Sequence, residues 1–335
     1  MIPLYEPYIP PNVSKAVKDQ VASGWVGPGK KVAEFEERLA DYLGVKHVVC
    51  TTSGTMALFV VLKTLNLHEE TRVLFPAYGM IAGAHAAKMC GYQVCLQDVL
   101  STQYCINASY RRGDVIIHIC QNGRDGSIEG YVDHHERFGY PYVIQDACQQ
   151  LGLQKPIAKV SVYSFSPQKL ITTGQGGAIA TSNDELAEKC RNLIDHGGDW
   201  RHDRTYKRLG VNLRMNDIQA AMGIAQLDMI DELLERKREV FKWYAKHINR
   251  NMMTWLVEYW SRNAAKVSAQ MRKRGVDAQV LYKPNNHNAI FKDQGPFPHA
   301  EAVAQSMLYL PSSLTLTEEQ VDQVCNVLLE EEAKV

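Results

Sequence analysis

Val32, Phe35, Leu39 and Leu43 recur at helical spacing, and Gly44 follows them as a stop. Short apolar runs come next, at 47–50 (HVVC), 72–75 (RVLF), 92–96 (YQVCL), 114–120 (DVIIHIC), 142–147 (YVIQDA), 160–165 (VSVYSF) and 177–181 (GAIAT). Segments of helical length separate many of them. Strands that alternate with helices predict βαβ units, an α/β fold and a mostly parallel, buried sheet of seven strands. From Asn216 to about Ile248 the pattern is long and helical, DIQAAMGIAQLDMIDELLERKREVFKWYAKHI, small residues first, then charges, with an apolar stripe. It reads as the connection from a large domain, residues 1–232, to a smaller α+β domain, residues 233–335. The last part reads as short strands and a terminal amphipathic helix.

The chain has 335 residues, with Lys+Arg and Asp+Glu equal at 37 each. Zero formal charge argues against a general nucleic-acid or membrane-surface binder, which carries a basic excess. The apolar runs fall short of the ~20 residues a membrane helix needs. The opening MIPLYEPYIPP has no basic n-region and no apolar h-region, so no secretory signal is visible. Eight cysteines are scattered without a C-x-x-C pair, several of them in apolar runs. Reduced thiols, no metal centre and a cytoplasmic location are the plain expectation.

Three stretches carry candidate chemistry. In CTTSGTMAL (50–58) a strand stops, and Ser53, Gly54 and Thr55 open a helix. Free N–H groups and the helix dipole suit an anion there, although an ordinary N-cap would look the same. In QDACQQLG, Asp146 ends an apolar run. It could cap a helix, or it could stand where ligands meet a parallel sheet, beyond the carboxyl ends of the strands. In YSFSPQKLITTGQGGAIAT a single lysine, Lys169, sits between Ser164 and Ser166 on one side and Thr172, Thr173, Gly174, Gly176 and Gly177 on the other. A strand-end lysine usually faces water, but a backbone-rich loop of this kind suits ligand contact better than core packing. A lone lysine with a nearby aspartate is what pyridoxal phosphate chemistry requires. The amine condenses with the aldehyde, and the acid keeps the pyridine nitrogen protonated.

The order of phosphate turn, aspartate and lysine resembles the DegT/StrS-type sugar aminotransferases, of pyridoxal-phosphate fold type I. The matching segments are GKKVAEFEERLADYLGVKHVVCTTSGTMAL, FPAYGMIAGAHAA, QDACQQLG, YSFSPQKLITTGQGGAIAT and GVNLRMNDIQAAMGIAQL. The resemblance covers nearly the whole chain. It implies that Lys169 bonds the cofactor and shuttles protons, and that Asp146 pairs with the ring nitrogen. By the same likeness Gln149 would meet the ring hydroxyl, while Ser53, Gly54, Thr55 and Ser164 would hold the phosphate. Asn212 would reach the neighbouring subunit's phosphate, so that a complete site needs a homodimer. Related branches carry histidine in place of the lysine, or an iron–sulfur cluster; a non-catalytic regulator would be signalled by loss of Lys169 or Asp146.

The family reaction it implies moves an amino group from glutamate to a keto group of a nucleotide-linked sugar through pyridoxamine phosphate. IPLYEPYIPP, SGW and LPSSLTLTEEQ resemble the branch that aminates C4 of 4-keto-6-deoxyhexoses, as in perosamine synthases; a 3-keto sugar or keto-cyclitol is the alternative. Several positions depart from the pattern. Met80 stands where an aromatic often stacks on the cofactor, with Tyr78 nearby to compensate. Gln145 and Gln175 replace glutamates, which changes charge near the site. YKPNNH replaces Y-P-L-H, leaving Asn286 or His287 in that role. The chain is also short around Asn249 to Asn263. HGGDWRHDRTYKR (196–208) either binds the diphosphate through Arg201 and His202 or is a solvated loop.

Overall fold

The computed structural model describes residues 1–100, 106, 109–198, 206, 208–249 and 252–335. Two helices open the chain, α1 (Pro11–Ala22) and α2 (Lys30–Leu43). Strands and helices then alternate through β1 (His47–Thr51), α3 (Gly54–Thr64), β2 (Arg72–Pro76), α4 (Ala82–Met89), β3 (Gln93–Gln97) and β4 (Val115–Ile119). They continue with α5 (Ile128–Phe138), β5 (Tyr142–Asp146), β6 (Val160–Ser164), β7 (Gly177–Thr181) and α6 (Asp184–Ile194). All seven apolar runs are strands of one sheet, in the order β1-β7-β6-β5-β4-β2-β3. Only β7 runs against its neighbours, pairing antiparallel with β1 and β6. The remaining pairs are parallel, and helices cover both faces, which is why the strands read as nearly unbroken apolar runs.

The predicted α2 stripe behaves as its spacing requires. Phe35, Leu39 and Leu43 are buried, and Gly44 ends the helix at φ 73°, a left-handed turn that glycine adopts without penalty. Phe35 meets Phe165, just past β6, with ring centroids 5.3 Å apart. On the opposite face, α3, α4 and α6 pack Leu58, Val61, Ala84, Ala87 and Cys190 onto the sheet.

The helical stretch expected over 216–248 consists of two consecutive helices. They are α7 (Asp217–Leu227) and α8 (Ile230–Ala245), parted at Asp228 and Met229. Met229 has φ −109° and ψ 14°, outside helical values. Packing gives the reason. α7 lays small residues, Ala220 and Ile224, beside α2, while α8 must turn so that Val240, Phe241 and Tyr244 reach a separate core. A capping box at Asn216 and Gln219 starts α7. Beyond α8 come β8 (Val257–Trp260), α9 (Ala264–Lys273), α10 (Pro298–Ser306), β9 (Met307–Leu310) and α11 (Glu318–Glu332). β8 and β9 form a two-stranded antiparallel sheet, with α11 and α9 supplying apolar cover. No helix among the described residues is long and apolar enough to cross a membrane.

Candidate active site

The parallel strands β2, β4, β5 and β6 all end at one edge of the sheet, and β1 ends there too. β7 begins at that edge: Thr51 and Ser164 both pair with Gly177. Helix α3 starts immediately beyond. Ser53 Oγ accepts a hydrogen bond from Met56 N–H at 3.2 Å, which orients the first turn; Gly54 and Thr55 are its first two residues, whose N–H groups have no partner within a helix. The backbones here approach too closely for any side chain on the glycines. A Cβ at Gly177 would stand 2.5 Å from Gly54 N and nearer still to the carbonyl carbon of Ser53. A Cβ at Gly54 would stand 2.7 Å from Cys148 Sγ and 3.1 Å from Ser164 Cβ. Ser164, Cys148 and the start of α3 therefore share one small space. Gly177→Ala is expected to destabilise the chain by about 1–3 kcal/mol or more, because its obstacle is backbone. Urea denaturation reads this directly; an unchanged midpoint would show that the turn can yield.

Asp146 ends β5 between β4 and β6, in register with Ile119 and Val162. It is buried, and its Oδ1 accepts from Cys148 N–H at 3.1 Å. Burial pushes its carboxyl above the usual range, while hydrogen bonds from Cys148 and the charge of Lys169 oppose that rise. Lys169 lies in the β6–β7 connection, where its N–H donates to Ser166 O at 3.0 Å. Its amine is pushed below the ordinary lysine value by desolvation, against the pull of Cys148 and Asp146. The two groups sense each other without a direct ion pair. A buried acid and a half-buried, desolvated amine, with no ion pair between them, are placed for a ligand that supplies a cation to one and an electrophile to the other.

Several neighbours of this pair escaped the sequence reading. The indole of Trp255 covers Lys169, with Nζ 4.3 Å from the ring centroid. Gln149 is reached as expected, but its amide is engaged by protein: Oε1 accepts from Asn122 N–H at 2.5 Å and Nε2 donates to Tyr282 Oη at 3.0 Å. The Tyr282 hydroxyl is pushed up to about 12 by burial, with Asp146 and Cys148 adding to the rise. Asn122, at φ 55°, ties the end of β4 to the 255–258 segment. Its Oδ1 accepts from Leu256 N–H at 2.8 Å, and its Nδ2 donates to Glu258 Oε2 at 2.7 Å. Cys148 had a signal, two residues past Asp146. Trp255 and Asn122 had none, because their value lies in contacts between distant segments.

Lys237 on α8 is buried, and its Nζ donates to Trp255 O at 2.7 Å. Desolvation lowers this amine to about 7. Between that value and the free-lysine value the unfolded chain binds the proton and the native chain does not, so stability rises with pH there. Measured against Lys237→Met, the wild type should gain up to about 1.4 kcal/mol per pH unit above neutrality, and nothing below it. A difference independent of pH would contradict this.

The other expected residues fall as follows. Tyr78 is wholly buried, its ring 5.8 Å from that of Tyr282, so it is a core group behind the site. Met80 is 51% exposed. Asn212 is exposed, and its Oδ1 accepts from Arg214 Nε at 3.1 Å. His287 is exposed and bonds Glu301 at 2.7 Å; the Asn286 amide oxygen is buried without a partner. Their neighbour Asn285 docks the turn onto the end of β2, through Ala77 O at 2.6 Å and Pro76 O at 3.0 Å. Gln145 is wholly buried, one residue before Asp146. Its amide accepts from Ile157 N–H, Ala158 N–H and Ser161 Oγ and donates to Gln150 Oε1, a set that a glutamate could not complete. Gln175 is exposed. Arg201 and His202 lie outside the described residues.

A seven-stranded sheet with one reversed strand, a glycine-lined helix start, and a half-buried lysine and buried aspartate at the same edge define an enzyme of the pyridoxal-phosphate fold type I class. Residues 7–329 match the DegT/DnrJ/EryC1/StrS aminotransferase family, and the chain belongs to that family. It is similar to GDP-perosamine synthase of Vibrio cholerae, at 24% identity over 98% of each chain. It is also similar to the UDP-4-amino-4,6-dideoxy-N-acetyl-beta-L-altrosamine transaminase of Campylobacter jejuni, at 32% identity over 72% of this chain and 66% of that one. In fold it is similar to Helicobacter pylori PseC, an aminotransferase involved in the biosynthesis of pseudoaminic acid, with a TM-score of 0.91 and 24% identity over 98% of each chain.

Enzymes of this family work with pyridoxal phosphate, and the residues present fit that group. Asp146 is a buried acid whose burial favours pairing with a cation. Lys169 presents an amine of lowered basicity without a carboxylate partner, and the α3 start offers N–H groups to an anion.

Proposed function

We propose that the protein transfers an amino group from glutamate to the 4-keto group of a nucleotide-linked 4-keto-6-deoxyhexose, as a homodimer with shared sites. The observation that carries the reaction is the pairing of a desolvated Lys169 with buried Asp146 at one sheet edge. When bound, pyridoxal phosphate supplies an electron sink for the carbon that gains or loses a proton. Lys169 Nζ, its basicity lowered by desolvation, takes and returns that proton. Asp146 holds a positive charge opposite its carboxylate. Ser53, Gly54, Thr55 and Ser164 hold the phosphate, and the core behind Tyr78 keeps bulk water from the rear of the site.

The choice of C4 is supported by the relatives named for GDP-perosamine and for a 4-amino-4,6-dideoxy sugar. A second reading, a 3-keto sugar, is favoured by similarity to UDP-2-acetamido-2-deoxy-3-oxo-D-glucuronate aminotransferase of Pseudomonas aeruginosa, 28% identical over 90% of this chain. The homodimer is supported by exposed apolar groups, Trp25, Val26, Leu209 and Val211, on segments that adjoin Asp217 and Asn212. A division into residues 1–232 and 233–335 is supported by α8, whose first turns pack with the large sheet and whose later turns pack with the small one.

The test is to load the protein with pyridoxamine phosphate and offer 4-keto and 3-keto nucleotide sugars in turn. Single-turnover conversion of a 4-keto sugar supports the reading. Conversion of 3-keto sugars alone moves it to the second reading, and conversion of neither overturns both.

A further inference from the structure

We propose that Trp255 is a positioning residue for Lys169: its indole covers the amine, and three hydrogen bonds from distant segments fix that cover in place. The inference rests on the reading of Lys169 as the cofactor-bearing lysine. Each polar group of Trp255 is engaged. Its indole Nε1–H donates to Gln168 O at 2.9 Å, so the ring is tied to the backbone that carries Lys169. Its backbone N–H donates to Asn122 O at 2.9 Å, from the turn after β4. Its carbonyl accepts from the buried Lys237 amine at 2.7 Å, from α8. The side chain is 8% exposed. The three anchors come from the large sheet, the lysine loop and α8, so the plane of the ring reports the fit of those parts to one another.

The effect of this cover on the amine has two components of opposite sign. An aromatic face attracts an ammonium, whereas exclusion of water disfavours it. Desolvation is the largest influence on Lys169, and the ring 4.3 Å from its Nζ is part of what excludes water, so removing the ring should make the amine easier to protonate. The other groups around the amine do not replace the ring. Asp146 and Cys148 lie on the β5 side and favour the ammonium. Tyr5 donates its hydroxyl to Lys169 O at 3.3 Å. Glu6, Tyr8 and Lys237 line a cavity of about 20 Å³ against Lys169 and Trp255, room for one water at most. Lys237 is a cation, or a neutral amine, that faces the tryptophan carbonyl and not Lys169.

The test is residue-resolved acylation of lysines against pH, read by mass spectrometry on the full chain carrying pyridoxamine phosphate, with exposed Lys266 as the internal standard. Trp255→Ala is expected to raise the pH midpoint of Lys169 labelling by about one unit, a tenfold loss of reactive amine at neutral pH. Trp255→Phe keeps an aromatic face but loses the bond to Gln168, and should shift the midpoint the same way by about half as much. A merely structural tryptophan would lower thermal stability without moving the midpoint. An unchanged midpoint in whichever of these variants folds overturns the proposal. The labelling can be read with or without pyridoxamine phosphate. A chain that fails to bind the cofactor would therefore sink the functional reading and leave the Trp255 result to be judged alone.

Discussion

Lys169→Ala is expected to lower the amino-transfer rate by about 10²–10⁴-fold, the usual worth of a positioned acid–base group. Two features make this the largest single effect. The amine is the one lysine that the β6–β7 connection carries at the edge shared by Asp146, Gly54 and Gly177. The nearest other amine identified there, Lys237, is held by its hydrogen bond to Trp255 O. The variant should still bind pyridoxamine phosphate, because Ser53, Thr55, Ser164 and Asp146 are untouched. Binding by fluorescence together with single-turnover rates separates the two. Retained turnover would remove Lys169 from the chemistry, and lost binding would assign it a mainly structural part.

Asp146→Asn should cost about 10²–10³-fold in rate, the scale for removing one charge-stabilising group in a dry site. It should also do the opposite to the fold. The carboxyl of Asp146 is raised above its unfolded value, chiefly by burial. Such a group stabilises the native state fully below the unfolded value of about 3.9 and loses that contribution as pH rises through the folded value. Above its folded value the cofactor-free wild type therefore carries a buried charge that its neighbours offset only in part, and the asparagine variant does not. Thermal unfolding of the cofactor-free chains should show the variant more stable at pH 7, with the gap closing as pH falls toward about 4. Bound cofactor should narrow the gap by supplying the wild type with a cation. A variant less stable than the wild type at every pH would show that the Cys148 hydrogen bond, and not the charge, dominates there.

What could be read from the sequence was whatever depends on neighbours along the chain. All seven strands lie within a residue or so of the apolar runs, because strands buried on both faces need continuous apolar stretches. The turn at Ser53–Gly54, the acid at the end of β5 and the lysine before GQGG were visible as local patterns. The helical stretch from Asn216 was legible, but its division into two helices was not. Its apolar stripe stays helical across Asp228 and Met229, and only the need to serve two cores bends it. Gln145 was read as an altered charge, and it is also a four-way amide that closes the β5–β6 connection. Asn285, and not Asn286 or His287, docks its turn onto β2. Trp255 and Asn122 act across more than a hundred residues of sequence, where no local signal exists.

The most direct measurement loads the chain with pyridoxal phosphate, reduces it with borohydride and maps the modified peptide by mass spectrometry. One stable adduct is expected, on Lys169, and it should form more slowly in Asp146→Asn. An adduct on Lys237 or on an exposed lysine in place of Lys169, or no adduct at all, would contradict the assignment of the site.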